Sequence, residues 1–187
     1  MSNKITFGLR NVHYALANFA EDTWTFDTPK DLIGAQEFSS ELVGGTTQVY
    51  ADDKIFHTLV SNSGATITLK LTELSDEFKK DIFGYALDSN NNLVEVVNAD
   101  VKTFALGYEI QGDSKARRVW YFLCTATPVG QATKSKADSI EANSVSLTIT
   151  ARPIEVNDKE VLRVIASKGD TNYESFFDKV TLPTIEG

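Results

Sequence analysis

Polar and apolar residues alternate with period two along much of this chain, the pattern of strands that bury one face. The clearest run is 65–71, where Ile67, Leu69 and Leu71 fall on one side and Thr66, Thr68 and Lys70 on the other. A second run at 103–110 sets Phe104, Leu106, Tyr108 and Ile110 against Ala105, Gly107 and Glu109. The third, 145–152, sets Val145, Leu147, Ile149 and Ala151 against Ser146, Thr148, Thr150 and Arg152. All three are expected to be antiparallel strands with one face in water.

The stretch 117–126 differs, because 119–124 is continuously apolar or aromatic, as in a central strand covered on both sides. Shorter strands are expected at 12–17, 23–26, 35–42, 48–51, 56–61 and 161–166.

One segment follows a helical period instead. Ser75 can cap it, Asp76 and Glu77 suit the positive end of a helix, and Phe78, Ile82 and Ala86 recur every fourth residue, with Phe83 widening the apolar face. This predicts a helix over 76–87, weakened by Gly84 and closed by the turn-forming run 88–92.

The fold class expected is therefore mainly β, a β-sandwich or barrel with one flanking helix. A single domain of 1–187 fits the length. Two links are long for such a domain. Residues 43–55, with Gly44-Gly45, Thr46-Thr47 and Asp52-Asp53, are expected to be a protruding hairpin loop, and 129–143 shows no period. Loops of that length are often sites of contact.

Composition narrows the function. Hydrophobic residues make up 42% of the chain, enough for a core, and the formal net charge of -8 argues against a general phosphate-binding surface. Lys115, Arg117 and Arg118 next to Trp120 and Tyr121 could grip a nucleic acid strand, but a solvated turn at a strand entrance is the better reading. Residues 1–10 lack the apolar run of a signal peptide, and no stretch approaches a membrane helix, so a soluble protein without membrane partners is expected.

A search for chemistry yields little. Cys124 is the only cysteine, so it excludes an intrachain disulfide and reads as a buried thiol. His13 and His57 sit in strand-like runs without supporting motifs, and a zinc site would have to recruit Cys124 and carboxylates. The run from Asp88 starts like a calcium loop but has Leu93 where the turn needs Gly and Ala99 where the loop needs Glu. Gly44-Gly45-Thr46-Thr47 lacks the Lys of a phosphate loop. Asp52-Asp53 and Asp76-Glu77 are adjacent carboxylates, the first pair splayed to opposite faces of a strand and the second explained by the helix dipole. No catalytic, cofactor or metal residues are assigned, and an enzyme is not expected.

Several words, taken in order, resemble the major tail proteins of long-tailed, non-contractile bacteriophages of Gram-positive bacteria. They are the opening 7–15 (Phe7-Gly8-Leu9-Arg10-Asn11-Val12-His13-Tyr14-Ala15), Val49-Tyr50-Ala51-Asp52-Asp53, the stretch 71–84, Phe104-Ala105-Leu106-Gly107-Tyr108-Glu109, 121–128 with Cys124, and Thr150-Ala151-Arg152-Pro153. The resemblance implies a subunit that forms hexameric rings stacked into a hollow tail tube, the conduit for genome ejection. It also implies strands shared around the lumen, and an N-terminal arm (1–11), the protruding loop and a C-terminal arm (154–187) reaching between rings. Its partners would be other copies of itself, tape-measure, tail-tip or baseplate and tail-terminator proteins, and DNA passing without specific binding. Assembly in the host cytoplasm and residence in the virion tail follow, without the immunoglobulin-like domain that some relatives append.

On this reading Phe7, Arg10, Val49, Tyr50, Asp52 and Asp53 are expected at contacts between rings. Thr66, Thr68, Lys70, Ser146, Thr148 and Thr150 are expected to face the lumen. Two alternatives stay open: a monomeric β-sandwich module that binds carbohydrate or acts in adhesion, and the related tube protein of a contractile secretion system.

Overall fold

The computed structural model describes residues 8–51, 54–110, 112, 115–130 and 144–185. The chain is mainly β, with one helix and a large antiparallel sheet. In chain order the strands are β1 (Leu9–Ala20), β2 (Thr23–Phe26), β3 (Lys30–Asp31), β4 (Ala35–Ala51) and β5 (Lys54–Leu71). After the helix α1 (Asp76–Phe83) come β6 (Ala86–Leu87), β7 (Leu93–Val94), β8 (Phe104–Ile110), β9 (Arg118–Ala126) and β10 (Val145–Arg152). Then follow β11 (Ile154–Val156), β12 (Lys159–Val161) and β13 (Arg163–Ala166). The main sheet runs β2-β1-β8-β9-β10-β5-β4, with β3 beside β1 and β13 beside β9. As its unbroken apolar run predicts, β9 is central, flanked by β8 on one side and by β10 and then β13 on the other.

The sheet curls. The ring of Phe38 on edge strand β4 lies 4.1 Å from that of Tyr108 on β8, and Leu32 donates its N–H to the carbonyl of Val12 on β1. Inside the curl lie the expected apolar faces: Ile67, Leu69 and Leu71 of β5, Leu147 and Ile149 of β10, and Phe104 and Leu106 of β8, each fully buried. α1 closes this core with Phe78, Ile82 and Phe83. Phe78 meets Tyr14, Phe83 and Phe104 edge to face, the arrangement that ring quadrupoles favour. Tyr14 Oη donates to Asp81 Oδ2 at 2.9 Å, and Lys30 Nζ reaches both Asp81 and Glu77, so the helix is tied to β1 and β3 by charge as well as packing.

α1 begins as its sequence predicts, with the Phe78 N–H donating to Ser75 Oγ, but it stops short of residue 87. Gly84 adopts the left-handed conformation (φ 71, ψ 25) and donates its N–H to the Lys79 carbonyl, a helix-ending geometry that a β-branched or bulky residue resists. The chain then turns into the short hairpin of β6 and β7.

Three further expectations need correction. The face of β8 formed by Ala105, Gly107 and Glu109 is dry, not wet, because the C-terminal residues pack over it. That segment, expected as an arm, lies on this chain's own sheet: Ile154, Ala166, Tyr173 and Phe176 form a second core with Ala105, Trp120 and Phe122. Residues 43–51 and 54–55 are not loop. They are the outer part of a continuous β4–β5 ladder, which accommodates Gly44-Gly45 at an irregularity between Val43 and Gly44.

Candidate functional site

The six residues assigned from the sequence to a lumen wall stand side by side. Thr66 pairs with Thr150, Thr68 with Thr148 and Lys70 with Ser146 across the β5–β10 ladder. β4 extends the rows with Glu41, Ser39 and Glu37, and β9 adds Thr125 beside Thr150. Strict alternation makes the face on β5, β9 and β10, where the residues between these are buried in the core and these point away; on β4 the residues between are half-buried Phe38 and exposed Ser40. The result is an open polar surface, four strands and roughly 14 Å wide at the usual strand spacing. It carries two carboxylates and one ammonium among hydroxyls.

The second feature is the β4–β5 ribbon. β10 stops accompanying β5 at Ala65, opposite Ala151, and Gly64 turns there with φ +153, close enough to the Ala151 carbonyl that a β-carbon would sit 2.4 Å from it. Beyond this point, among the described residues, β4 and β5 pair only with each other, from Gly44 opposite Asn62 to Ala51 opposite Lys54. Eight residues of strand span roughly 26 Å, and a lone two-stranded ribbon of that kind is marginal in water without further packing. Val49 and Tyr50 lie in it, opposite His57 and Ile55. Of the remaining contacts expected between rings, Phe7, Asp52 and Asp53 lie outside the described residues.

Arg10 is described, and it is not part of an arm. It belongs to β1, opposite Glu109, and its guanidinium contacts Glu109 Oε1 through Nε at 2.9 Å and also through Nη2. Glu109 is the one buried charged residue among those described. Asn11 Nδ2 donates to its Oε2 at 2.9 Å and Arg118 Nε at 3.1 Å. Burial alone would push the Glu109 carboxyl up, yet the hydrogen bonds from Arg10 and Asn11 and the charges of Arg10 and Arg118 hold it below its usual range. The alternation at 103–110 gives no hint of this cluster, since Glu109 falls on the face read as wet. The acidic residue flanked in sequence by Tyr108 and Ile110 was the available signal. Arg118, expected on a solvated turn, instead lies over the Tyr173 ring at 4.1 Å.

The other chemical candidates have structural surroundings. His13 Nδ1 is 2.8 Å from Asp31 Oδ1, and its ring lies 4.6 Å from that of Phe177. Burial lowers the His13 pKa; Asp31 opposes the shift and the Arg118 charge adds to it. The folded state therefore favours neutral His13, so its contribution is complete above about pH 6.5 and is lost as pH falls through the lower folded value. Melting curves of wild type and His13→Asn between pH 7 and 5 are expected to show a smaller decline in the variant.

Cys124 is fully buried, and burial pushes its thiol pKa up, as for an inert core cysteine. Asp88 accepts the N–H groups of Asn90 and Asn92 and the Asn92 side-chain amide, which lower its pKa and make the run a closed turn. Among the described residues no three His, Cys, Asp or Glu side chains converge to hold a metal ion, and no helix is long and apolar enough to cross a membrane.

A scan of protein-family models and a search of curated proteins return no match to the chain.

Proposed function

We propose that this chain is a structural subunit of a phage tail tube, assembling as hexameric rings that stack around a lumen through which DNA passes. The observation that supports it best is the open threonine-rich face on a curled sheet with two free edges. Among the described residues neither β2 nor β4 has a strand partner on its outer side. β4 is long, and its sequence AQEFSSELVGGTTQVYA holds no Lys or Pro that would blunt an edge. Joining edge to edge around a sixfold axis uses two different surfaces of each copy, and rotation closes the ring.

The polar face would then line the bore. Threonine keeps high strand propensity while offering a hydrated wall, and an acidic excess repels phosphate so that DNA slides. The ribbon supplies the reach between rings. Its sequence holds Val49, Tyr50, Ile55, Phe56, Leu59 and Val60, large apolar residues on a two-stranded element that needs a partner surface.

Sedimentation velocity over a concentration series tests the reading: fast-sedimenting assemblies that grow with concentration are expected, against a single small species for a binding module. Tubes of the double variant Thr68→Lys, Thr148→Lys are expected to retain a labelled oligonucleotide at low salt and release it at high salt, while wild-type tubes retain none. Equal retention by both would place this face away from the bore.

A further inference from the structure

The cluster around Glu109 lies at the meeting point of two ends of the chain. At Arg10 to His13 the β1–β8 register shifts, and Asn11 takes a left-handed conformation with φ 50. Side chains of neighbouring strand residues normally point to opposite faces, but this bulge lets both Arg10 and Asn11 reach the same carboxylate. The oxygen that accepts from Asn11, Glu109 Oε2, also holds Arg118, whose Nη1 donates to the Tyr173 carbonyl at 2.5 Å and whose guanidinium lies over the rings of Tyr173 and Phe177. Tyr173 returns a bond from its hydroxyl to the Ala116 carbonyl, and Trp120 Nε1 donates to the Phe176 carbonyl. The seat of residues 173–177 is thus built largely on Arg118 and Trp120.

We infer that Glu109 is a latch coupling the two ends of the chain: the seating of Arg10 on its carboxylate sets how firmly residues 173–177 stay docked on β9. One carboxylate has to satisfy two guanidinium groups, so the position of each depends on the other. The Arg10 side chain is half exposed and can leave for water, whereas Glu109 is wholly buried and Arg118 nearly so. Once Arg10 leaves, the carboxylate is free to draw the Arg118 guanidinium away from the Tyr173 carbonyl, and the C-terminal segment loosens. Coupling of this kind is reciprocal, so loosening the segment also weakens the hold on the bulge. The latch is a property of the single chain and holds whether or not the chain builds tubes.

Hydrogen exchange on the isolated chain reads the coupling directly. The amides of Tyr173, Phe176 and Asp178, bonded to the carbonyls of Asp170, Tyr173 and Ser175 in the turns that carry the segment, are the reporters, and the β5–β10 ladder is the internal control. In Arg10→Met the three reporters are expected to exchange roughly tenfold faster, the size of effect found for residues sharing one polar network, with the ladder unchanged. Arg10→Lys, which keeps the charge but not the fork, is expected to fall between. In the reverse direction Tyr173→Ala is expected to speed exchange at residues 9–11. Reporters that exchange at the wild-type rate in both Arg10 variants would overturn the latch.

Discussion

Replacing Glu109 by alanine is expected to cost the fold about 3–5 kcal/mol, the usual penalty for stranding a buried charge. Arg118 is 15% exposed, and without Glu109 Oε2 at 3.1 Å its guanidinium keeps, among the described residues, only carbonyl and ring partners in a largely dry site. Against a typical stability of ~5–15 kcal/mol, the loss would leave a marginal protein. Glu109→Gln, which preserves shape and one acceptor, should be milder. Denaturant titration of the three proteins measures both effects. An alanine variant within about 1 kcal/mol of wild type would mean that Arg118 finds water more easily than its burial implies.

Removing the ribbon is expected to act on assembly and spare the fold. A variant that joins Val43 to Ser63 through an Asn-Gly turn keeps every residue of β5 that lines the core, from Ala65 to Leu71, and the whole β5–β10 ladder. Its melting temperature should stay within a few degrees of wild type, because a lone two-stranded ribbon is marginal by itself and the buried core residues described along β5 and β10 are all kept. Tubes should be absent under conditions where the wild type forms them. Normal tubes from this variant would show that rings stack by other surfaces.

Period two was enough to find the polar face of the β5–β10 ladder. Thr66, Thr68 and Lys70 lie far in sequence from Ser146, Thr148 and Thr150, and alternation alone put each trio on the polar side of its strand. The register that makes them neighbours was not legible, because strand order depends on long-range pairing. The same rule failed at 103–110 for a reason that sequence does not reveal locally. Ala105, Gly107 and Glu109 alternate as a wet face would, but the covering layer comes from residues 154 to 182, three strands of three or four residues followed by turns, too short to show which face they cover.

Two other departures from expectation have separate physical causes. Residues 43–55 looked like a loop because Gly44-Gly45 and Asp52-Asp53 are turn-formers, yet the ladder absorbs the glycines at an irregularity where a β-carbon on Gly44 would meet the Ser61 carbonyl oxygen at 2.0 Å. Arg10 looked like an arm residue because the family resemblance places an arm there. Its role follows instead from Glu109, a partner 99 positions away. The helix start was legible in Ser75 and the acidic first turn, while its end at Gly84 required knowing that this glycine would go left-handed.

We propose that the wetted face and the free-edged sheet belong to a self-assembling tube. Negative-stain electron microscopy of the purified chain at rising concentration, repeated with tail-tip components as initiator, tests it most directly. Rings or hollow tubes of uniform diameter are the predicted result; a monodisperse monomer at every concentration, with and without initiator, would contradict it.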